Sequence, residues 1–304
     1  MDRAEVIKVF LDKNNLAKAR YRQMTGDASA RKYARIVASD KSYILMDAPP
    51  PQNVESFLRV AELLAHMKLS VPSILDADKE KGLLLLEDFG DMTFTAALSK
   101  GSDEAELYSL ATDTLVELHR RLPQSVFKNL PVHDETRAIQ EVGLLLEWYW
   151  PVIFQSPVSP IIREEYEEAW RKVLPSCLLT PPSMALFDFH VDNLMVVPNR
   201  PSIEACGLLD FQDAVIAPMG FDLASLLEDV RRDVPGSLKE QMIRRYLNAF
   251  PDINDKNFHR TYCIMAAQRN VRIVGTFARL LIRDNKPSYQ LFMPRVWRLV
   301  EEAL

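Results

Sequence analysis

Cysteine is scarce in this chain. Only Cys177, Cys206 and Cys263 occur in 304 residues, widely scattered, with no CxxC pair. That excludes a disulfide framework or a cysteine-based zinc site and suits a reducing compartment. No stretch approaches the ~20 consecutive apolar residues that a membrane-spanning helix needs. The opening Met-Asp-Arg-Ala-Glu-Val-Ile-Lys carries acidic residues and lacks the apolar run of a secretory signal. Nor is positive charge in excess: 37 Lys and Arg stand against 42 Asp and Glu, a formal net charge of −5. No global field draws nucleic acid or an anionic membrane. These absences predict a cytoplasmic protein with neither a nucleic-acid nor a membrane partner. What is present is a globular composition, 48% hydrophobic and 26% charged. The length calls for two lobes or two domains.

The first ~90 residues mix short strand and helix signals. Tyr33-Ala34-Arg35-Ile36-Val37 and Tyr43-Ile44-Leu45-Met46 predict a hairpin, with a polar turn around Ser39-Asp40-Lys41-Ser42. Pro49-Pro50-Pro51 then breaks the pattern. Phe57, Val60, Ala61, Leu64 and Met67 recur at helical spacing over 54–69. Val71-Pro72-Ser73-Ile74-Leu75 and Leu83-Leu84-Leu85-Leu86 predict two further strands. Beyond Gly90, helical periodicity dominates: 104–122, 135–150, 163–177, 223–232, 238–250 and 257–283, with a proline-bearing loop over 151–160. Within this helical half, Leu194-Met195-Val196-Val197 and Ala205-Cys206-Gly207-Leu208-Leu209 predict one β-hairpin.

The ends of that hairpin carry the chemistry. Asp188 is followed five residues later by Asn193, and Asp210 stands just after the second strand. Phosphoryl transfer needs a group to orient and deprotonate a hydroxyl, and oxygen ligands for the magnesium that holds the triphosphate. A loop Asp, a nearby Asn and a second Asp returned by a hairpin supply that set. Each residue alone is an ordinary loop residue; the ordered set carries the signal.

Asp188-Phe189-His190-Val191-Asp192-Asn193-Leu194 resembles the catalytic loop of the aminoglycoside phosphotransferase and choline kinase family. Leu209-Asp210-Phe211 resembles that family's metal-binding motif, the counterpart of the protein-kinase D-F-G. The run from Pro218-Met219-Gly220-Phe221-Asp222 to Leu227 is similar to the segment that follows, and Glu87-Asp88 falls where that family places its interlobe hinge. The resemblance implies an α+β, bilobal, protein-kinase-like fold. Residues 1–90 would form a small antiparallel-sheet lobe with one main helix that binds nucleotide. Residues 91–304 would form a larger, mostly helical catalytic and substrate lobe. It further implies ATP and Mg2+ as cofactors, a small-molecule hydroxyl acceptor, Asp188 as the catalytic base, and Asn193 and Asp210 as magnesium ligands. Backbone groups of Leu86, Glu87 and Asp88 would meet the adenine.

Two departures stand out. The family places His-Gly or His-Arg before the catalytic Asp, where this chain has Leu186-Phe187, so apolar packing would brace the loop. A phosphate-binding lysine is expected where Met46 stands. Arg31, Lys32 and Arg35, with Gly26 and Ser29 just before them, are the candidates to replace it. The combination of Gly26-Asp27-Ala28-Ser29, Met46-Asp47-Ala48-Pro49-Pro50, Leu85-Leu86-Glu87-Asp88 and Asp210-Phe211-Gln212-Asp213-Ala214 resembles one branch of the family. That branch comprises bacterial anomeric kinases of N-acetylmuramate and N-acetylglucosamine, so a sugar or amino-sugar acceptor is expected. His190, Asp192, Asp213 and Trp148 are the candidate substrate contacts. Asp222 is expected to cap a helix beginning at Leu223. A carboxylate-bearing sugar has Arg269, Arg272, Arg279 and Arg283, roughly on one helix face, as possible partners. A nucleotide-binding pseudokinase and an aminoglycoside phosphotransferase stand as alternatives.

Overall fold

The computed structural model describes residues 2–24, 31–39 and 41–304. Internal packing divides the chain into two compact units. One comprises residues 1–102 with 192–213, the other 103–191 with 214–304.

The first unit is built on five strands, β1 (Arg20–Gln23), β2 (Lys32–Ala38), β3 (Lys41–Asp47), β4 (Ile74–Asp78) and β5 (Leu83–Glu87). They pair antiparallel in the order β1-β2-β3-β5-β4. The expected hairpin is β2–β3, in the register Ala34↔Leu45 and Tyr33↔Met46. Strand alternation sorts the side chains. Ala34, Ile36, Leu45, Leu83 and Leu85 pack with Leu16 and with Phe10 of α1 (Arg3–Lys13). Tyr33, Arg35, Ile44, Met46, Leu84 and Leu86 lie on the opposite face. Periodicity did not announce α1, because Phe10 is the residue it buries and the rest of the helix is largely polar. β4 begins at Ile74, later than expected, since Pro72 has no N–H to give a ladder.

The main helix of this unit is α2 (Glu55–His66), which buries Phe57, Val60, Ala61 and Leu64. A short α3 (Phe94–Ser99) is capped by Thr93, whose hydroxyl accepts the Ala96 N–H. Residues 192–213 add the expected hairpin, Leu194–Val196 paired with Cys206–Leu208. The hairpin is sewn into the unit: the Leu208 N–H donates to the Ser70 carbonyl at 2.7 Å, and the Val196 N–H to that of Met92 at 2.8 Å. Gly207 permits this closeness, for a Cβ there would stand 2.7 Å from Val197 and 2.8 Å from the Phe89 ring.

The second unit is helical: α4 (Glu104–Arg120), α5 (Val126–Asn129), α6 (Glu135–Leu144), α7 (Trp150–Phe154), α8 (Pro160–Val173), α9 (Phe221–Leu227), α10 (Gly236–Asn248), α11 (Asp255–Ile282) and α12 (Met293–Ala303). Asp103, Asp134, Ser159 and Asn254 begin α4, α6, α8 and α11, each accepting a first-turn backbone N–H. The 28-residue α11 is the spine. Its Met265, Ala267 and Val271 share a core with Ala138 and Val142 of α6, Phe187, Val215 and Phe221.

One strand pair went unannounced, Pro182–Ala185 with Val215–Pro218. Each is four residues with a proline at one end, too short to show a period. The predicted single helix over 135–150 is interrupted. After Leu144 the chain makes one π turn, Leu145–Tyr149, before α7 resumes. Pro151 therefore lies in the first turn of α7, where its missing N–H costs nothing, and the expected loop starts only at Gln155. Gly275 of α11 faces the start of this turn at backbone distance: a Cβ would stand 2.3 Å from the Leu144 carbonyl carbon.

Candidate active site

In the helical unit the strand Pro182–Ala185 leads into Leu186, Phe187 and Asp188. Phe187 has φ +80°, a left-handed conformation that costs a non-glycine residue about 1–3 kcal/mol and persists only where its surroundings impose it. Asp222 imposes it. Its carboxylate accepts the Leu186 N–H at 2.5 Å and the Phe187 N–H at 3.0 Å. The expected cap role for Asp222 is therefore corrected. Gly220, at φ +105°, begins α9, and Asp222 lies inside the first turn with its side chain buried against the loop. Burial pushes its carboxyl up to about 7, while the two N–H donors pull it down.

The aromatic ring completes the brace. Phe187 stacks on Phe221, centroids 5.6 Å apart and planes within 17°. The guanidinium of Arg272 lies 4.1 Å from the Phe187 centroid, and that of Arg137 4.8 Å. Packing and cation–π contact thus hold the Phe187 ring in place, as the apolar Leu186-Phe187 pair led one to expect. Asp188, about a third exposed, has its Oδ1 at 3.6 Å from Nη2 of Arg272. His190 is buried, with Nε2 at 3.5 Å from Nη1 of Arg231. Burial, then Arg231, Arg269 and Arg272, hold its pKa well below the usual value, so the ring is neutral at pH 7.

In the sheet-bearing unit the hairpin brings the other two residues together. The Leu209 N–H donates to the Asn193 carbonyl at 2.9 Å, extending the ladder by one residue at the end where Asp210 follows. Asp210 also takes a left-handed conformation, φ +55°. Gln212 Nε2 donates to Asp210 Oδ1 at 2.8 Å and to Asp213 Oδ2 at 3.2 Å. The Gln212 carbonyl is held in turn by the Ser56 hydroxyl at 2.5 Å, and Phe211 packs on Phe57 with centroids 4.9 Å apart. An amide and an oriented carboxylate at one hairpin end fit a hard divalent cation, which prefers oxygen donors. Asp192 accepts a hydrogen bond from the Thr95 hydroxyl.

Met46 is fully buried between Tyr33 and Leu84 in the register of the sheet. The Tyr33 hydroxyl is pushed up to about 12, first by burial and then by the charge of Asp210, with Arg31 acting the other way. Arg31 and Asp210 thus both bear on the ring beside Met46. Gly26 and Ser29 lie outside the described residues. Arg35 has a use the sequence did not suggest: it donates to Asp91 at 2.6 Å, to Asp88 at 3.0 Å and to the Gly90 carbonyl at 3.0 Å. Burial raises the Asp88 carboxyl, but hydrogen bonds from Ser42, the Gly90 N–H and Arg35 outweigh it and hold it below the usual range. Glu87 accepts from the Ser73 N–H at 3.1 Å and hydroxyl at 2.9 Å and pairs with Arg200 at 2.5 Å, while Leu86 is buried opposite Ile44. The stretch 86–91 is therefore a stiff, densely bonded segment. Trp148, half-buried, sits within the π turn. Sequence reasoning missed Asp222 as the loop's anchor. The available signal was an Asp at the head of an otherwise apolar run, with no water-facing partners.

Solved structures share this architecture from end to end. An ethanolamine kinase of Plasmodium vivax superposes with a TM-score of 0.70 at 10% identity, over 98% of this chain and 88% of its own. A choline kinase of Streptococcus pneumoniae gives 0.68 at 14%, over 98% and 99%. The fold is that of the small-molecule kinases, a small antiparallel sheet followed by a helical part. The model of the phosphotransferase enzyme family (APH) matches residues 20–256, and the chain belongs to that family. An N-acetylmuramate/N-acetylglucosamine kinase of Caulobacter vibrioides is 31% identical, over 95% of this chain and 88% of the relative. A protein of the same name from Pseudomonas aeruginosa is 32% identical, over 92% and 82%.

Proposed function

We propose that the chain is a cytoplasmic ATP- and magnesium-dependent kinase that phosphorylates a hydroxyl of N-acetylmuramate or N-acetylglucosamine. The observation that carries this reading is the anchoring of the loop before Asp188. A buried carboxylate is spent on two backbone N–H groups, and two arginines lie against the adjoining ring. Such an investment suits a side chain whose position sets a reaction rate. The two relatives just described, matched over 88% and 82% of their lengths, supply the acceptor class.

In this reading Asp188 orients the acceptor hydroxyl and accepts its proton as the oxygen attacks the γ-phosphorus. The bond from that phosphorus to the β–γ bridging oxygen breaks, and ADP leaves. Asn193 and Asp210 would hold the magnesium ion, whose charge offsets that of the triphosphate when bound. Gln212 keeps the Asp210 carboxylate oriented. Residues 1–90 would supply the nucleotide-binding lobe and 91–304 the catalytic and substrate lobe, with the backbone of Leu86, Glu87 and Asp88 against the adenine. Arg31, Gly26 and Ser29 would face the phosphates, and Trp148, His190, Asp192 and Asp213 the sugar.

The test is ATP turnover with N-acetylmuramate, N-acetylglucosamine and an aminoglycoside panel, for the wild type and Asp188→Ala. Turnover with the sugars, lost in the variant while ATP binding survives, is the expected result. Unchanged turnover in Asp188→Ala would sink the base assignment. Phosphorylation of the aminoglycosides alone would replace the acceptor class.

A further inference from the structure

Three arginines gather around the catalytic loop. Arg269 and Arg272 stand three residues apart on α11 and so share a face. Arg272 reaches Asp188 only at 3.6 Å, beyond hydrogen-bond length, and lies over Phe187. Arg269 is 2% exposed, and among the described residues neither its Nε nor its Nη1 has a hydrogen-bond partner. Burial pushes its pKa down to about 10. Arg272 and Arg231 add to that push, while Asp188 and Asp229 oppose it. Arg231 closes the group from the other side, beside His190.

Burying a guanidinium with unfilled donors is costly, and setting like charges beside it adds to the cost. The nearby anions do not discharge the debt. Asp222 gives both carboxylate oxygens to Leu186 and Phe187. Asp188 has to exchange a proton with the acceptor during each turnover. Glu141, whose charge also bears on Arg272, is taken by His133, Arg137 and Gln268, and Asp229 acts on Arg269 without filling its Nε or Nη1, so these donors stay unfilled near Asp188.

We propose that Arg272, backed by Arg269, forms an anion subsite beside Asp188 that takes the carboxylate of an acidic sugar. The chain then favours N-acetylmuramate, which bears a carboxylate, over the neutral N-acetylglucosamine. This rests on the sugar-kinase reading above and specifies it. A charge-assisted hydrogen bond is worth about 1.5–3 kcal/mol, roughly a 10- to 150-fold preference. Arg272 is the direct contact, being the more exposed of the two. Arg269 is a positioning residue that adds charge from behind.

The experiment measures kcat/KM for both sugars with the wild type, Arg272→Gln, Arg272→Lys and Arg269→Gln. The wild type should prefer the acidic sugar by about tenfold or more. The ratio should collapse toward one in Arg272→Gln and be partly kept in Arg272→Lys. A proportionate fall for both sugars, leaving the ratio unchanged, overturns the proposal and gives the arginines to the transferring phosphoryl group instead. If the variants fail to fold, the wild type still decides. Raising KCl from about 50 to about 500 mM should raise KM for the acidic sugar selectively, and an equal response of both overturns the subsite. No turnover of either sugar defeats the sugar-kinase reading rather than the subsite. Calorimetric titration with each sugar then tests the subsite alone: tighter binding of the acidic sugar sustains it, and equal binding rejects it.

Discussion

Asn193 and Asp210 are brought together by a hairpin of two three-residue strands, and the side chain that orients Asp210 comes from Gln212, two positions on. Asp188 depends instead on Asp222, whose carboxylate grips backbone 35 and 36 positions earlier, and on aromatic and arginine contacts from α6, α9 and α11. The proposed metal side is thus held by local pairing and the proposed base side by long-range tethers. Local pairing survives modest damage because neighbours in the chain stay close. A tether that spans the fold fails all at once.

That contrast can be broken by measurement. The largest effect is expected from Asp222→Asn. An amide offers one acceptor where two N–H groups need acceptors, so the loop shifts, and kcat should fall about 100-fold with the KM for ATP little changed. A drop in ATP affinity instead, at constant kcat, would place the tether's effect on the wrong side of the comparison. Next comes Gly275→Ala, which forces a methyl into the backbone at Leu144 and should cost about 2 kcal/mol by denaturant titration. Gln212→Ala removes only a local support, so kcat should fall by about tenfold or less, clearly short of the Asp222 variant. A larger loss than in Asp222→Asn would invert the contrast.

The smallest effect concerns His119, another long-range tether of the helical unit, which bonds the Tyr246 hydroxyl at 2.6 Å and the Met184 carbonyl at 3.0 Å. Burial holds its pKa down to about 4, against 6.5 for the ordinary residue. Between those values the unfolded chain binds more protons, so this contribution is present above pH 6.5 and is lost as pH falls toward 4. From pH 6.5 to about 5.5 the loss is about 1 kcal/mol. His119→Gln should show a correspondingly flatter stability profile over that span in thermal melts. Asp222, raised to about 7, acts with the opposite sign but equally in both proteins, and cancels in the difference.

The same contrast separates what was legible in the sequence from what was not. The β2–β3 and 194–208 hairpins, and the periodic helices α2, α4, α10 and α11, follow from patterns within a few residues of one another. So does the order of Asp188, Asn193 and Asp210. Asp222 as an anchor, Arg35 as the clasp of 88–91, and the strand pair Pro182–Ala185 with Val215–Pro218 are settled by partners far away in the chain. A single sequence carries no trace of which carboxylate meets which N–H. The cap expected at Asp222 failed for that reason: the residue type was right for a cap, but Gly220 had already turned the chain and left the carboxylate facing inward.

The π turn at Leu145–Tyr149 adds a different kind of constraint, one of length rather than identity. Such a turn is an α-helix carrying one surplus residue. Were 145–149 wound as regular α-helix with no residue removed, everything after it would rotate by about 100°. Trp148 and the apolar face of α7 would then point elsewhere, although no side chain had been altered. Point substitutions leave that phase intact, so an alanine scan would miss it. A one-residue deletion within 145–149 tests it directly: the regular helix should return with α7 still in phase.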